Sequence, residues 1–386
     1  MRCIDEIPAG ELKGKRILVR AGLDLSLDGK GEVSDVFRVR KACPTLKYLS
    51  EHGARVIILS HIGRDPQETN APVGRALNKY LKVFYVPDMF GSVARDAVNA
   101  MKEGEIVLLE NLRQRYDLEK ANDESFASSL ASLGEIYVND AFSNSHRTHA
   151  SMIGIPKLLP SYAGFIVRDE VVELTEALHP PRPSLAVVGG AKFETKDPII
   201  RSFLEVYDHV CVVGAIANDC LKGKGFPVGR SRISEHAPAR EVCESPHLIV
   251  PTDVTVERPD KQAFVKKPRD VQPDDKIVDI GPDTVAALAP YIREAKFITW
   301  NGPTGIFEEG YISHTSAIAE LIAKRVEKGG LHSVIGGGDT ISALKESGIP
   351  EEKLGFFSTG GGAMLEFLLK GTLPGIEALQ LSEKER

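Results

Sequence analysis

The sequence predicts an α/β protein with mainly parallel strands, divided between two domains. Short apolar runs rich in Val and Ile recur along the chain, and the stretches between them have the apolar spacing of helices. This is the pattern of repeated β-α units. The chain has 386 residues, and a domain commonly contains about 100 to 200. Because a twisted sheet rarely exceeds about ten strands, the predicted strands fit two sheets better than one.

The predicted strands form one set in each half of the chain. Those of the first half are residues 16–21, 55–60, 83–86, 105–109 and 135–138. Those of the second half are residues 184–188, 209–213, 247–250, 276–280, 297–300, 332–335 and 355–358. Between the sets, residues 168–179 have helical spacing and end before Pro180 and Pro181, which cannot continue a helix. This helix either connects the domains or is a crossover within one of them.

Composition excludes several classes of function. Lys and Arg total 48 against 54 Asp and Glu, a net charge of -6, which disfavours nucleic acid or anionic membrane as a partner. The five cysteines include no C-x-x-C pair, a pattern typical of free thiols in a reducing compartment. No apolar run approaches the roughly 18 residues of a membrane span, and the first residues lack an apolar signal core. We therefore expect a cytoplasmic protein.

The residues that follow the first-half strands are largely basic. In open parallel sheets, ligands bind beyond the carboxyl ends of the strands, so these residues should lie together. They are His61, Arg64, Arg113, His146, Arg147 and His149. Arginine forks suit phosphate or carboxylate, and the set predicts a small anionic ligand. Each arginine alone is more often a solvated surface residue or a structural ion pair, and for His149 a structural role is favoured.

The second-half strands instead end in glycine, at residues 189–190, 214, 281, 302, 336–338 and 360–362. Glycine lets backbone approach a ligand closely, and a following helix presents free N–H groups to phosphate. One such loop is usually only a tight turn, but several at one edge favour a nucleotide. The chain contains neither G-x-x-x-x-G-K-[ST] nor G-x-G-x-x-G, which disfavours P-loop NTPases and dehydrogenases. Asp339 is either a helix N-cap or a carboxylate for Mg²⁺ carried by the phosphates.

These motifs, taken in order, resemble those of the phosphoglycerate kinases along nearly the whole chain. One alone would be weak, but together they are highly specific. They are Ser60-His-Ile-Gly-Arg64, Leu109-Glu-Asn-Leu-Arg113, Val138-Asn-Asp-Ala-Phe142 with His146-Arg147, Gly189-Gly-Ala-Lys192 with Lys196, Trp300-Asn-Gly-Pro-Thr-Gly-Ile-Phe-Glu308, Gly336-Gly-Gly-Asp-Thr340 and Ser358-Thr-Gly-Gly-Gly-Ala363.

The resemblance implies two Rossmann-like domains with different ligands. Residues 1–167, joined by the returning tail 366–386, would bind 3-phosphoglycerate; residues 168–180 would form the interdomain helix; residues 181–365 would bind ATP or ADP with Mg²⁺. The family is typically a cytoplasmic monomer of glycolysis that interconverts ATP and 3-phosphoglycerate with ADP and 1,3-bisphosphoglycerate. The attacking carboxylate is already ionised at neutral pH. The expected mechanism is therefore hinge closure and charge neutralisation, without a general base.

The resemblance also transfers individual site residues. The implied substrate set is Gly22, Leu23, Asp24, Arg38, His61, Ile62, Gly63, Arg64, Arg113 and Arg147. The implied catalytic set is Arg38, Lys192 and Lys196, with Arg40 as the alternative to Arg38 if the register differs. The implied nucleotide set is Lys196, Asn301, Glu308, Gly337, Gly338, Asp339 and Thr340, and Asp339 is also the implied metal-side carboxylate.

One loop departs from the family, which usually reads Arg-Val-Asp-Phe-Asn-Val-Pro where this chain has Arg20-Ala-Gly-Leu-Asp-Leu-Ser26. The aspartate that would bond the substrate's hydroxyl becomes Gly22, and the asparagine becomes Asp24. Losing a partner for a buried polar group costs about 1 to 3 kcal/mol. Two alternatives therefore stay open: a related kinase for another small phosphorylated acid, and a catalytically silent nucleotide-binding homologue.

Overall fold

A computed structural model describes residues 1–191, 193–235 and 238–384 of the protein. The chain divides into two compact units, each with its own parallel sheet. The first unit comprises Met1–Val172 and Thr372–Arg386, and the second comprises Glu173–Gly371. These junctions lie a few residues from the limits expected at 167 and 365. Which ligand each unit binds stays a prediction.

The first unit is built on a six-stranded parallel sheet. Every residue of the first strand after Arg16 is buried, as expected for strands covered on both faces. The strands are β1 (Arg16–Ala21), β2 (Arg55–Leu59), β3 (Val83–Tyr85), β4 (Ile106–Leu108), β5 (Ile136–Asp140) and β6 (Ser161–Ala163), and their order in space is β3-β4-β2-β1-β5-β6. Strand β6 was not predicted, because Ser161–Ala163 contains no Val or Ile.

The second unit contains a second six-stranded parallel sheet and a small three-stranded one. The strands are β7 (Ser184–Val188), β8 (His209–Val212), β9 (Leu248–Ile249), β10 (Val254–Glu257), β11 (Ala263–Lys266), β12 (Lys276–Ile280), β13 (Phe297–Asn301), β14 (His332–Gly336) and β15 (Phe356–Phe357). The large sheet has the order β15-β14-β13-β7-β8-β9, and its neighbours are parallel. The expected α/β class with mainly parallel sheets is therefore confirmed.

The small sheet corrects one expectation. Residues 276–280 form β12 as predicted, but β12 pairs antiparallel with β10, and β10 pairs antiparallel with β11. The parallel assignment was wrong because a buried Val/Ile run shows burial and not the direction of its partner. Neither β10 nor β11 was predicted, and in β11 only alternate residues are even half-buried.

Helices connect the strands in both units. Those up to the unit junction are α1 (Ala9–Leu12), α2 (Phe37–Glu51), α3 (Ala71–Leu77), α4 (Ser92–Ala100), α5 (Tyr116–Lys120), α6 (Glu124–Ala131) and α7 (Phe165–Leu178). Those that follow are α8 (Asp197–Val206), α9 (Gly214–Gly223), α10 (Arg240–Cys243), α11 (Pro282–Glu294), α12 (Ser313–Glu327), α13 (Gly338–Glu346), α14 (Gly361–Lys370) and α15 (Pro374–Lys384). Within the described ranges, no helix is both long and apolar enough to cross a membrane.

The helix expected at 168–179 begins three residues earlier than predicted, as α7. Side chains satisfy its first N–H groups: Phe165 N donates to Thr45 Oγ1 at 3.0 Å, and Ile166 N donates to Asp140 Oδ1 at 2.9 Å. The junction between the two units falls within this helix.

The chain returns to the first unit in its last residues. Gly371 ends α14 with φ +73°, and Gly375 N then donates to Ser145 O at 2.8 Å. Helix α15 packs against β6 of the first unit, whereas α14 packs against α8 of the second. The described return therefore starts after Gly371, and the sequence placed it at about residue 366.

Candidate active site

Basic side chains gather at the carboxyl edge of the first sheet. We call Arg20, Arg38, Arg113 and Arg147 the cationic cluster, and His61 lies beside them. The register places Arg20 of β1 beside the last residue of β2 and beside β5, so the loops after all three strands meet at this edge. Arg38 lies in the first turn of α2 and donates from Nη1 to the carbonyl oxygen of Asp24 at 2.6 Å.

The charges of the cationic cluster act on common neighbours. Burial, followed by the positive charges of Arg147 and Arg20, lowers the pKa of His149 to about 3. Burial alone would raise the pKa of Asp24, but its contact with His61 and the charges of Arg113 and Arg38 hold that pKa below its ordinary value. Side chains from separate segments therefore share one electrostatic environment, and the environment favours anions.

Two arginines at this edge keep donors available. Arg147 Nε is buried and has no hydrogen-bond partner among the described residues. Arg64 is exposed, and its side chain makes no hydrogen bond or ion pair with any residue that the structure describes. A buried donor without a partner costs about 1 to 3 kcal/mol, and an acceptor bound beside Arg147 Nε would remove this cost.

The loop after β1 lies at the predicted substrate edge. Leu23 is fully buried, so its side chain packs in the core. A Cβ at Gly22 would lie 3.0 Å from Ser143 Oγ, and that hydroxyl fills the space of a side chain at position 22. Asp24 Oδ1 accepts a hydrogen bond from Gly63 N at 3.1 Å, which ties this loop to the loop after β2.

Burial and backbone conformation explain why isoleucine and glycine stand at positions 62 and 63. Ile62 is buried, and its N–H donates to Asn111 Oδ1 at 3.2 Å. Gly63 has φ +63°, and a Cβ there would overlap the carboxylate of Glu68, so both residues shape the loop. Ile62 and Gly63 therefore offer no side chain to a ligand.

Sequence reasoning did not select Arg20, although its side chain is only 1% exposed and reaches His61 Nδ1 at 2.7 Å. Glu119 and Ser151, which lie behind Arg20, were also missed. The signal in the sequence that could have identified Arg20 was a charged residue at the end of an otherwise apolar strand.

The carboxyl edge of the second sheet is built from closely packed backbone. Asn301 of β13 pairs with Val188 of β7 and Gly336 of β14, which aligns the loops after these strands. Gly302 has φ +103°, and a Cβ there would lie 2.4 Å from the carbonyl carbon of Gly189. Only glycine fits here.

The triple-glycine loop places a helix N-terminus at the same edge. Gly337 has φ +104°, and α13 begins at the next residue. Thr340 Oγ1 accepts from Gly302 N at 2.7 Å, and Asn301 Nδ2 donates to Gly336 O at 2.9 Å. Gly338 and Asp339 are exposed in the first turn of α13, a geometry that suits phosphate oxygens.

Lys196 joins this edge from the start of α8. Its Nζ donates to Asn301 Oδ1 at 2.6 Å. Burial lowers the pKa of Lys196 to about 8, although the charge of Asp339 opposes the shift. Lys196, Asn301 and Asp339 therefore lie in one site, whereas the expected Lys192 falls outside the described residues.

A cavity of about 480 Å³ adjoins the glycine-rich edge. This volume is within the usual range for small-molecule sites. Glu308 and Asp339, both expected from sequence, line it together with Gly190, Gly214, Pro303, Ile306 and Phe307. Asn218, Lys276 and Asp279 also line the cavity and were not expected. Apolar walls with a few carboxylates and backbone groups suit a nucleoside.

The side chains available for metal binding can be compared with the ligands that the expected Mg²⁺ requires. Within residues 1–191, 193–235 and 238–384, no group of three or more His, Cys, Asp or Glu side chains could hold a metal ion. Mg²⁺ usually takes one or two carboxylates and completes its shell with phosphate oxygens and water. The single carboxylate of Asp339 beside the N-terminus of α13 therefore fits an ion that arrives with a nucleotide.

Comparison with known proteins identifies the family. A family model described as phosphoglycerate kinase matches residues 4–371. The chain belongs to the phosphoglycerate kinase family. It is 40% identical to the phosphoglycerate kinase of Moorella thermoacetica, over 96% of this chain and 97% of that protein. It is 38% identical to the enzyme of Methylorubrum extorquens strain PA1, over 98% of each chain.

Solved structures agree with this assignment. The phosphoglycerate kinase of Coxiella burnetii is 33% identical, with a TM-score of 0.83 over 98% of each chain. That of Pyrococcus horikoshii OT3 is 28% identical, with a TM-score of 0.85 over the whole of both chains. The resemblance inferred from the motifs is confirmed, and the chain is an enzyme: a glycolytic kinase, that is, a phosphotransferase that uses ATP or ADP.

Proposed function

We propose that the first unit binds 3-phosphoglycerate and that the second unit binds ATP or ADP with Mg²⁺. The observation that carries this proposal is the contrast between the two sheet edges. One presents the cationic cluster, in which Arg147 Nε is buried without a partner. The other presents glycine loops, a helix N-terminus and a cavity of about 480 Å³. Guanidinium groups suit a compact phosphorylated acid, and the second edge suits a nucleotide.

In the first unit, the arginines divide the anionic groups of the acid between them. Arg64, Arg113 and Arg147 hold its phosphate, because Arg64 and Arg147 have donors to spare and the charge of Arg113 acts on the same neighbours as that of Arg147. Arg38, fixed to the Asp24 carbonyl, meets the reacting carboxylate. Arg40 is exposed and lies further along α2, which makes Arg38 the better candidate.

In the second unit, the cavity holds the nucleoside and Glu308 accepts from its ribose hydroxyls. The N–H groups of Gly338 and Asp339 meet the phosphates, and Lys196 reaches the transferred phosphoryl group. Asp339 would hold Mg²⁺, which would supply positive charge beside the phosphate oxygens. This arrangement is supported by Lys196 and Asp339 acting on each other electrostatically and by both Glu308 and Asp339 lining the cavity.

The reaction requires positioning and charge neutralisation more than proton transfer. A carboxylate oxygen of the acid attacks the γ-phosphorus, the bond between that phosphorus and the β–γ bridging oxygen breaks, and ADP leaves. The carboxylate is already ionised, so no base removes a proton. Arg38 and Lys196 offset the repulsion between two polyanions. Water must be excluded during transfer, which a closing motion of the liganded enzyme would achieve.

The oligomeric state and the cellular compartment complete the proposal. The residues assigned to each ligand come from one chain, so a monomer suffices. A glycolytic reaction and cysteines that are all free in the structure fit the cytoplasm.

Calorimetric titration with 3-phosphoglycerate tests the assignment of the acid site. Arg113→Met should raise Kd about 10- to 100-fold, because a charge-assisted contact is worth about 1.5 to 3 kcal/mol. Arg115→Met is the matched control, since Arg115 is exposed on the same turn. Equal affinities of the two variants would refute the assignment.

The departure at Gly22 and Asp24 favours one second candidate, a kinase for another small phosphorylated acid. A comparison of kcat/KM across phosphorylated hydroxy acids separates the two. We expect 3-phosphoglycerate to give the highest value, and a higher value for a different acid would establish the second candidate.

A further inference from the structure

Arg20 forms a buried set of contacts directly behind the acid site. Its Nη2 lies 2.7 Å from His61 Nδ1, and its Nε donates to Ser151 Oγ at 3.0 Å. Its Nη1 donates to Ala21 O at 2.6 Å. Ser151 in turn contacts Glu119, which accepts from Ser151 N at 2.9 Å and from Ser151 Oγ at 2.5 Å.

The chemistry of arginine fixes the direction of these contacts. A guanidinium group has N–H donors and no acceptor, so His61 Nδ1 must supply a lone pair to Arg20. A neutral imidazole with an unprotonated Nδ1 carries its proton on Nε2. Ser151 follows the same rule, because it accepts from Arg20 and donates to Glu119. Arg20 is therefore the donor on both sides: it donates to His61 on one side and to Ser151 on the other, and Ser151 donates to Glu119.

The protonated nitrogen of His61 then faces Asp24. Nε2 lies 3.4 Å from Asp24 Oδ2, and the His61 side chain is only 5% exposed. Apart from this contact, which is not a well-formed hydrogen bond, Nε2 has no hydrogen-bond partner among the described residues. The Asp24 side chain is 38% exposed, and its other oxygen is occupied by Gly63 N. A buried donor and an accessible acceptor thus lie side by side.

We propose that Arg20 is a positioning residue that fixes His61 as the Nε2–H tautomer, and that His61 and Asp24 together bind the hydroxyl group of the substrate acid. The identity of that acid rests on the proposed function. A hydroxyl group both donates and accepts: Asp24 Oδ2 accepts its proton, and His61 Nε2–H donates to its oxygen. This pair supplies the contact that Gly22, without a side chain, cannot make.

The surrounding charges keep the pair in this state at neutral pH. Burial, opposed by the contact with Asp24 and reinforced by the charge of Arg20, lowers the pKa of His61 to about 4. The pKa of Asp24 is also held low. The charged groups that act on His61 are Arg20 on β1, Asp24 in the loop after it, and Arg113 beyond β4. At neutral pH, His61 is therefore a neutral donor and Asp24 is an ionised acceptor.

Nitrogen NMR of histidine-labelled free protein tests the tautomer without any turnover. His61, assigned with His61→Gln, should show a protonated Nε2 and an unprotonated Nδ1 throughout pH 5.5 to 8. Arg20→Gln, whose amide can also accept, should allow protonation at Nδ1, and Arg20→Lys, which only donates, should retain the wild-type pattern. A wild-type spectrum with protonated Nδ1, or with a charged imidazole near pH 6.5, would overturn the proposal even if the Arg20 variants did not fold.

A substrate analogue tests the hydroxyl contact. Calorimetry compares 3-phosphoglycerate with the phosphate ester of 3-hydroxypropanoate, which differs from it only by lacking the 2-hydroxyl group. The wild type should bind the analogue about 10-fold or more weakly. Asp24→Asn should reduce this ratio several-fold, whereas Asp117→Asn, at an exposed carboxylate on α5, should keep it. An unchanged ratio in Asp24→Asn would refute the role of Asp24. Failure of 3-phosphoglycerate to bind at all would refute the proposed function instead, and the NMR result would stand independently.

Discussion

Replacement of Lys196 by methionine should separate catalysis from stability. Methionine keeps much of the apolar length of lysine and removes the charge. If Lys196 neutralises the transferred phosphoryl group, the loss falls on the transition state, where charge is most spread. Single preorganised donors of this kind are worth about 10²- to 10³-fold in kcat. We expect a decrease of that order, with a smaller change in KM for nucleotide.

The same substitution should not destabilise the protein. Burial lowers the pKa of Lys196 from 10.5 to about 8, a difference that corresponds to roughly 3 kcal/mol at about 1.36 kcal/mol per tenfold change. At pH 7 the folded protein therefore bears an order-of-magnitude cost of that size for the buried ammonium. Lys196→Met removes this cost but also the hydrogen bond to Asn301, worth about 1 kcal/mol. The free energy of unfolding should stay equal or rise.

The pH dependence of the free energy of unfolding tests the lowered pKa of Lys196 independently. Because the folded-state pKa of Lys196 lies below the unfolded one, the unfolded state binds more protons between about pH 8 and 10.5. In that window this group makes the wild type more stable as pH rises, and Lys196→Met should lack the increase.

A coupled spectrophotometric assay measures kcat, and urea unfolding followed by circular dichroism measures stability. Lys328→Met serves as the control, because Lys328 is exposed beyond α12. A near-normal kcat in Lys196→Met would refute the catalytic role of Lys196, and a loss of several kcal/mol of stability would refute the cost of its buried charge.

Three further predictions concern the first unit. Arg38→Met should lower kcat about 100-fold or more by removing the charge next to the reacting carboxylate; steady-state kinetics that show a change only in KM would contradict this. Gly22→Asp should leave the Kd for 3-phosphoglycerate unchanged or higher, because Ser143 Oγ occupies the space beside Gly22; tighter binding by calorimetry would show that Asp24 does not compensate. Burial raises the pKa of Asp140 from 3.8 to about 7, so the folded state binds more protons between these values and stability falls as pH rises. Urea unfolding of Asp140→Asn should show a flatter decline over pH 4 to 7, and an identical slope would refute this.

The sheets of the fold were accessible from sequence because buried parallel strands are continuous apolar runs. The first strand was predicted with its observed bounds, Arg16–Ala21. The direction of β12 was not accessible, because burial carries no information about the partner. Strand β11 was missed because only alternate residues are even half-buried.

The candidate site, like the fold, could be predicted from sequence only in part. Motifs located Lys196, Asn301 and Asp339, which do share one environment. The role of Arg20 depends on contacts with residues 41 and 131 positions away. Such contacts leave no local pattern, so only the folded chain shows that Arg20 sets the state of His61.

Steady-state turnover of the purified protein with 3-phosphoglycerate and Mg-ATP is the decisive measurement for the two proposed sites. We expect ATP consumption that depends on 3-phosphoglycerate, saturates in both substrates, and reverses with 1,3-bisphosphoglycerate and ADP. Binding of both ligands by calorimetry without any turnover in either direction would contradict it and would identify a silent homologue.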